Sequence, residues 1–351
     1  MAATASSRNS SATRWKLAIL LVALGGCALL RLAVGSTSLG FPVAEDAAVI
    51  WRLRSFRLAS GLVVGVALAT SGVALQALLR NPLAEPFILG LSGGAAVGVM
   101  IEKLLLRSFH GQGAGGLQLL GALHLGPLVG AAAAMVIVYL ASRRRGVIDP
   151  LGLLLTGVIV STMSGAIIML LNYISGPAGL VQDIAYWMMG FISENVGWPL
   201  VLVVGAVTAL GLALLLCLAR AMDAATFSAV EATSLGVNLG ALRAVLFITA
   251  SALAAGAVVL AGPIAFVGLV GPHVGRLLLG PRHGPLLVGA AMLGGMLILL
   301  SDSASAAILV GAHQVLGREI GLLPIGIFTA MVGGPVFLSM LRPRLGGGGD
   351  G

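Results

Sequence analysis

Residues Ala69–Gly94 read ATSGVALQALLRNPLAEPFILGLSGG, two apolar runs joined by RNPLAEP from Arg80 to Pro86. Pro82 and Pro86 have no backbone N–H to donate, so one helix ends and another begins inside this short stretch. The carbonyls released there need protein or water as partners, which puts the break against a cavity or at a membrane surface. A tight interhelical turn accounts for the prolines. It does not account for Gln76, Asn81 and Glu85 standing so close together.

Outward from this break the chain stays apolar. Of its 351 residues 58% are hydrophobic and 9% charged, and the mean hydropathy is +1.08. That balance excludes a soluble domain. At about 20 residues per crossing the length holds about ten helices. The expected spans are Leu17–Val34, Phe56–Leu79, Phe87–Leu106, Gln118–Ala141, Leu151–Tyr173, Pro199–Ala219, Arg243–Gly262, Ile264–Gly280, Leu286–Asp302 and Pro324–Leu341. The fold class is therefore all-α, a polytopic membrane protein with broken helices. A tail over 1–16, a single transmembrane domain over 17–341 and a Gly-rich tail over 342–351 complete the organisation.

The net charge of +8 comes from Lys and Arg scattered at span ends. This is the pattern of a chain oriented in a lipid bilayer, not of a nucleic-acid-binding face. The triple Arg143, Arg144 and Arg145 is the strongest vote for an inner loop, and it places both termini in the cytoplasm. Cys27 and Cys217 lie in apolar runs and read as small buried side chains. Gly61 with Gly65, and Gly94 with Gly98, stand four apart, a spacing that lets helix backbones approach.

Two further places resist a plain helical bundle. Over Ala261–Gly284, AGPIAFVGLVGPHVGRLLLGPRHG sets Pro263, Pro272 and Pro281 each beside a glycine, a pairing that restarts a helix. His273 there is a single histidine with no second ligand at metal spacing, so no metal site is expected. Over Arg220–Arg243, RAMDAATFSAVEATSLGVNLGALR is long for a connection and mildly amphipathic. It reads either as a solvated loop or as short helices broken at Gly236 that offer a knob to a partner's groove.

Five ordered segments then carry a family resemblance: Leu53–Gly98, AYWMMG at 185–190, EATSLGV at 231–237, AFVGLVGPHVGRLL at 265–278 and LPIGIFTAMVGGPVFL at 323–338. Together they resemble the permease subunits of the iron-siderophore, haem and cobalamin family of type II ABC importers. The resemblance implies a homodimer of ten-helix subunits in the bacterial cytoplasmic membrane. It also implies two cytoplasmic ATP-binding-cassette subunits that bind ATP and Mg, and an extracytoplasmic binding protein. By this likeness Arg54 and Arg57 are exposed docking residues for acidic groups of the binding protein, and Phe56 stands where the family usually has proline. Arg318, in a connection longer than that of typical relatives, is a further docking candidate. Glu231, Ala232, Thr233, Ser234, Leu235, Gly236 and Val237 match the loop that couples to the ATPase. Gln76, Asn81, Pro82, Pro86, Pro272 and His273 fall in signatures near the inner half of the pathway and are assigned to the gate.

No G-x-x-x-x-G-K-[ST] phosphate loop occurs in the chain, so energy must come from a partner and the chain is not expected to be an enzyme. An ion-coupled secondary transporter is the rival class. It usually carries ionisable residues near mid-bilayer, whereas here Asp and Glu fall at span ends. For cargo, most members of such a family serve iron chelates, which favours an iron-siderophore or haem, while AYWMMG resembles cobalamin permeases.

Overall fold

A computed structural model of the protein describes residues 2–35, 40–41, 47–108, 124–144, 146–175, 181–316, 321 and 323–345. Among these lie twelve α-helices: α1 Ala2–Ala33, α2 Ala47–Leu79, α3 Leu91–Ser108, α4 Leu125–Ala141, α5 Pro150–Ile174, α6 Val181–Met188, α7 Trp198–Ala224, α8 Ala229–Ser234, α9 Leu239–Ala261, α10 Val267–Leu279, α11 His283–Leu316 and α12 Ile325–Leu345. A small antiparallel hairpin pairs β1, Arg143–Arg144, with β2, Val147–Ile148, Arg143 facing Ile148.

Six of the helices, α1, α2, α5, α7, α9 and α11, contain stretches long and apolar enough to cross a membrane, and α4, α10 and α12 are shorter apolar helices. With α3, whose later turns carry Glu102, Lys103 and Arg107, each of the ten expected spans overlaps a helix; residues 118–123 of the fourth lie outside the described residues. Helix starts obey local chemistry. At α5, for example, Pro150 occupies the first turn and the Asp149 carboxylate accepts from Gly152 N at 2.9 Å, satisfying an amide that the helix leaves unpaired.

Helices α2 and α9 form the covered centre, whereas α1, α5 and α7 turn Leu, Ile, Val and Met outward. Association inside lipid gains little from hydrophobic burial and depends on close packing. Gly65 meets the backbone of Gly294 on α11, Gly72 meets Gly268 on α10, and Gly98 meets Gly126 on α4, each so closely that a Cβ would overlap the facing backbone. Gly94 makes the same approach to Gly130, while Gly61 packs against the side chains of Leu299, Ile192 and Ile298.

Several expectations are corrected. The span expected to end at Asp302 continues to Leu316, so Asp302 lies inside a helix and is fully buried. Pro272 does not restart a helix; it sits within α10, and the breaks on either side fall at 262–266 and 280–282. The first helix already begins at Ala2, so residues 2–16 continue the first span as helix. The long loop at 220–243 shrinks, because α7 runs to Ala224 and α9 starts at Leu239. Cys217 is exposed and Cys27 half-buried, both as free thiols, so neither is a core side chain.

Candidate functional site

The α8 corner is assembled almost wholly from neighbours in sequence. Ser228 and Glu231 form a capping box at its start: the Ser228 Oγ accepts from Glu231 N at 3.2 Å, while Ser228 N and Oγ donate to the Glu231 carboxylate at 2.9 and 2.8 Å. Those bonds, from the hydroxyl first and the backbone second, hold the Glu231 carboxyl below the usual carboxylate range. At the other end Gly236 takes a left-handed φ of 82°, a conformation cheap only without a side chain. Gly236 N bonds Thr233 O at 2.9 Å and Val237 N bonds Ala232 O at 3.1 Å, a Schellman closure. Asn238 then caps α9 by accepting from Ala241 N at 3.0 Å.

Ala232 is buried and Val237 packs on the core. The opposite face is apolar and open: Val230 is 79% exposed, Leu235 65% and Phe227 57%. A rigid, self-capped corner presenting three apolar side chains is suited to lodge in another protein's groove. Of the seven residues expected in the coupling segment, Glu231, Thr233, Ser234, Leu235 and Gly236 are exposed, and Ala232 with Val237 anchor it.

Several of the residues expected at the gate meet around Gln76. Its amide donates to Ala84 O and to Gly268 O, both at 3.2 Å. Gly268 stands four residues before Pro272, whose missing N–H would otherwise have bonded that carbonyl. Gln76 therefore repairs the bond that Pro272 leaves unmade, which is how α10 tolerates an internal proline. Asn81 shapes the turn by accepting from Leu83 N at 3.0 Å, and Pro86 opens a 3₁₀ turn over Pro86–Leu89. Glu85 accepts from the backbone N of Phe266, a residue held at a left-handed φ of 69° just before α10. The two proline breaks are thus bonded to each other. Pro82 is half-buried in the turn, and His273 lies half-buried on α10 with no part in these contacts.

At the end of the molecule opposite α8, the expectation of exposed arginines is corrected. Arg54 and Arg57 are 3% and 5% exposed. Arg57 grips Asp302 side-on through Nε and Nη2 and also donates to Ile192 O at 3.2 Å and Glu194 at 3.3 Å. Arg31 holds the same Asp302 and reaches Val34 O at 2.6 Å. Arg54 donates to Leu32 O and Gly40 O, both at 2.6 Å. A buried carboxylate with two arginines is tolerable because each charge is paired and bonded. Asp302 is committed to arginine and is not a free ion-coupling group. Arg318 lies outside the described residues.

Sequence reasoning missed Arg31, Glu194 and Asp302 as one cluster, and it missed the bond between Asp223 and His283 near α8. Asp302 gives a signal, a carboxylate inside an apolar run, but one that reads equally well as a span end. Asp223 and His283 give none, being ordinary polar residues near helix ends.

Comparison with known proteins identifies the family and the fold. The FecCD transport family model matches residues 12–343. The vitamin B12 import system permease BtuC of Escherichia coli O6:H1 is 36% identical over 83% of this chain and 83% of its own length. The cobalamin import permease BtuC of Halobacterium salinarum is 35% identical over 87% of this chain and 77% of its own, and the ABC transporter permease YvrB of Bacillus subtilis is 34% identical over 85% and 80%. A solved transporter assigned to the metal-chelate ABC type, in an inward-facing conformation, superposes with a TM-score of 0.75 at 29% identity over 94% of this chain and 99% of that one. The chain belongs to the FecCD transport family, and it has the multi-pass helical fold of a type II ABC importer permease for metal chelates or cobalamin.

Proposed function

We propose that the chain works as a homodimer forming the path of an importer, with two ATP-binding-cassette subunits docked on the α8 corner and a binding protein delivering cargo to the opposite end. The observation that carries this is the corner itself, rigid by its own hydrogen bonds and apolar where it is exposed. Charge sets the orientation. Arg143, Arg243 and Arg282 lie towards the α8 end, Arg243 donating to Ile148 O at 3.3 Å, and Lys16 of α1 bonds Leu278 O at 2.7 Å close by. This is a cytoplasmic face by the positive-inside rule, with both termini on it. ATP and Mg belong to the partner subunits. The face shaped by Arg54 and Arg57, with Arg318 as a further candidate, receives the binding protein, and here the arginines act by holding backbone and Glu194 in place.

The cargo is a bulky metal chelate. The relatives named as cobalamin importers support a corrinoid over the iron-siderophore or haem that the sequence suggested; the transporter of metal-chelate type fits either, and an iron chelate is the second reading. Isolating the cognate binding protein with its cargo and recording its visible spectrum decides between them. Corrinoid bands support the first reading, a Soret band or ferric charge-transfer absorption the second, and a colourless protein that binds none of these overturns both.

A further inference from the structure

We propose that Asp223 and His283 form a positioning latch that fixes the coupling corner to α11, so that movement at the corner is passed into that helix. The proposal rests on the reading of Glu231–Val237 as the ATPase-docking corner. Asp223 lies at the end of α7, immediately before the connection into α8. Its Oδ1 accepts from His283 N at 2.9 Å and from His283 Nδ1 at 2.6 Å. The ring nitrogen is assigned as donor because its partner is a carboxylate. His283 is the first residue of α11, so the carboxylate sits where the helix has unpaired amides and the positive end of its dipole. The His283 side chain is nearly enclosed.

The length of α11 gives the latch its consequence. This helix runs for 34 residues, about 50 Å at the usual rise, and carries Asp302 about 28 Å along. There Arg31 and Arg57 join it to α1 and α2. One helix thus starts at the connection into the corner and bears the charged cluster of the opposite end. The rest of that connection is held locally, by Ala225 N on Ala221 O at 2.9 Å and Thr226 N on Asp223 O at 3.1 Å. Among the hydrogen bonds of residues 221–228, those of Asp223 reach a helix distant in sequence, 60 residues away, beside the apolar packing of Met222 and Ala225 on the core.

The test uses the assembled permease and ATPase complex in nanodiscs, with the rate of ATP hydrolysis measured with and without the binding protein. Asp223→Ala removes both bonds and is expected to bring the ratio of the two rates toward unity with the ATPase still bound. Asp223→Asn keeps an oxygen acceptor for His283 N and retains most of the ratio. A wild-type ratio in Asp223→Ala overturns the proposal. Should that variant fail to assemble, His283→Ala and His283→Asn make the same comparison, since the Asn amide can donate in place of Nδ1. Equal ratios in those two overturn it as well. Val230→Asp tests the docking reading separately. If it retains the ATPase, that reading falls and the latch with it; if it loses the ATPase while Asp223→Ala keeps the wild-type ratio, the latch alone falls.

Discussion

At the α8 corner Ser228 bonds Glu231, Val237 bonds Ala232 and Asn238 bonds Ala241, whereas at the opposite end Arg31 and Arg57 reach Asp302 across 271 and 245 residues of chain. The first region keeps its shape from its own sequence and leaves its apolar face open. The second has no shape until three helices have met, and then it buries its charges. A surface that must fit a partner repeatedly is best made locally stiff and globally uncommitted. A junction that must keep helices in register can be made of partners that mean nothing until they are together.

Removing one member of the buried cluster should therefore have the largest effect on the protein itself. Asp302→Ala leaves Arg31 enclosed without a counter-charge and Arg57 with only the partly exposed Glu194, a loss of about 3–5 kcal/mol. The expected result is a large fall in detergent-solubilised thermal stability or no folded protein at all. Thermal unfolding near the wild-type midpoint would mean that the cluster is solvated and the contrast between the two ends is false.

The Gln76 contact offers an intermediate case, a long-range link made by one neutral side chain. Gln76→Leu deletes the bonds to Ala84 O and Gly268 O, at about 1 kcal/mol for each net hydrogen bond. The predicted outcome is a modest lowering of the unfolding midpoint, clearly less than for Asp302→Ala. Adding Pro272→Ala to that variant should recover part of the loss, because α10 regains an N–H able to bond Gly268 O. Strict additivity of the two substitutions would break the pairing of Gln76 with Pro272.

Val230→Asp changes an open position, and an exposed substitution of this kind stays within about 0.5 kcal/mol of wild type in stability. Its effect should appear only when the ATPase subunit is offered, as loss of co-purification. A destabilised protomer would show that the apolar face is covered within the chain.

These contrasts explain what the sequence made legible. The ten spans, the RNPLAEP turn and the corner broken at Gly236 depend on residues a few positions apart, and each was readable from apolar length, proline and glycine. S-x-x-E at 228–231 is an equally local signal of the capping box, one that the reading of the sequence passed over. Arg54 and Arg57 were found as a pair, but their burial was not, because the resemblance located the helix end and nothing local tells where Leu32, Ile192 and Asp302 will be. Asp302 misled for a physical reason: a lone carboxylate in an apolar run belongs at a membrane surface unless arginines from elsewhere neutralise it. Pro272 misled likewise, since the donor that rescues α10 comes from Gln76, 192 residues from its acceptor.

The smallest effect should come from acid. The Ser228 hydroxyl and backbone N–H hold the Glu231 carboxyl below its ordinary value, so the folded corner favours the ionised form more than the unfolded chain does. The stabilisation this gives is complete above the ordinary carboxylate range, and it is lost as the pH falls through the depressed folded value. Hydrogen exchange at 229–235, corrected for the intrinsic pH dependence of exchange, should show protection constant near neutrality and declining only in acid. Glu231→Gln should flatten that decline while leaving the Schellman closure at Gly236 protected, because Val237 N and Ala232 O do not titrate. An acid-induced loss of protection that persists in Glu231→Gln would mean that the fold of α8 depends on a titrating group other than its own capping box, and the local stiffness that separates it from the arginine cluster would be gone.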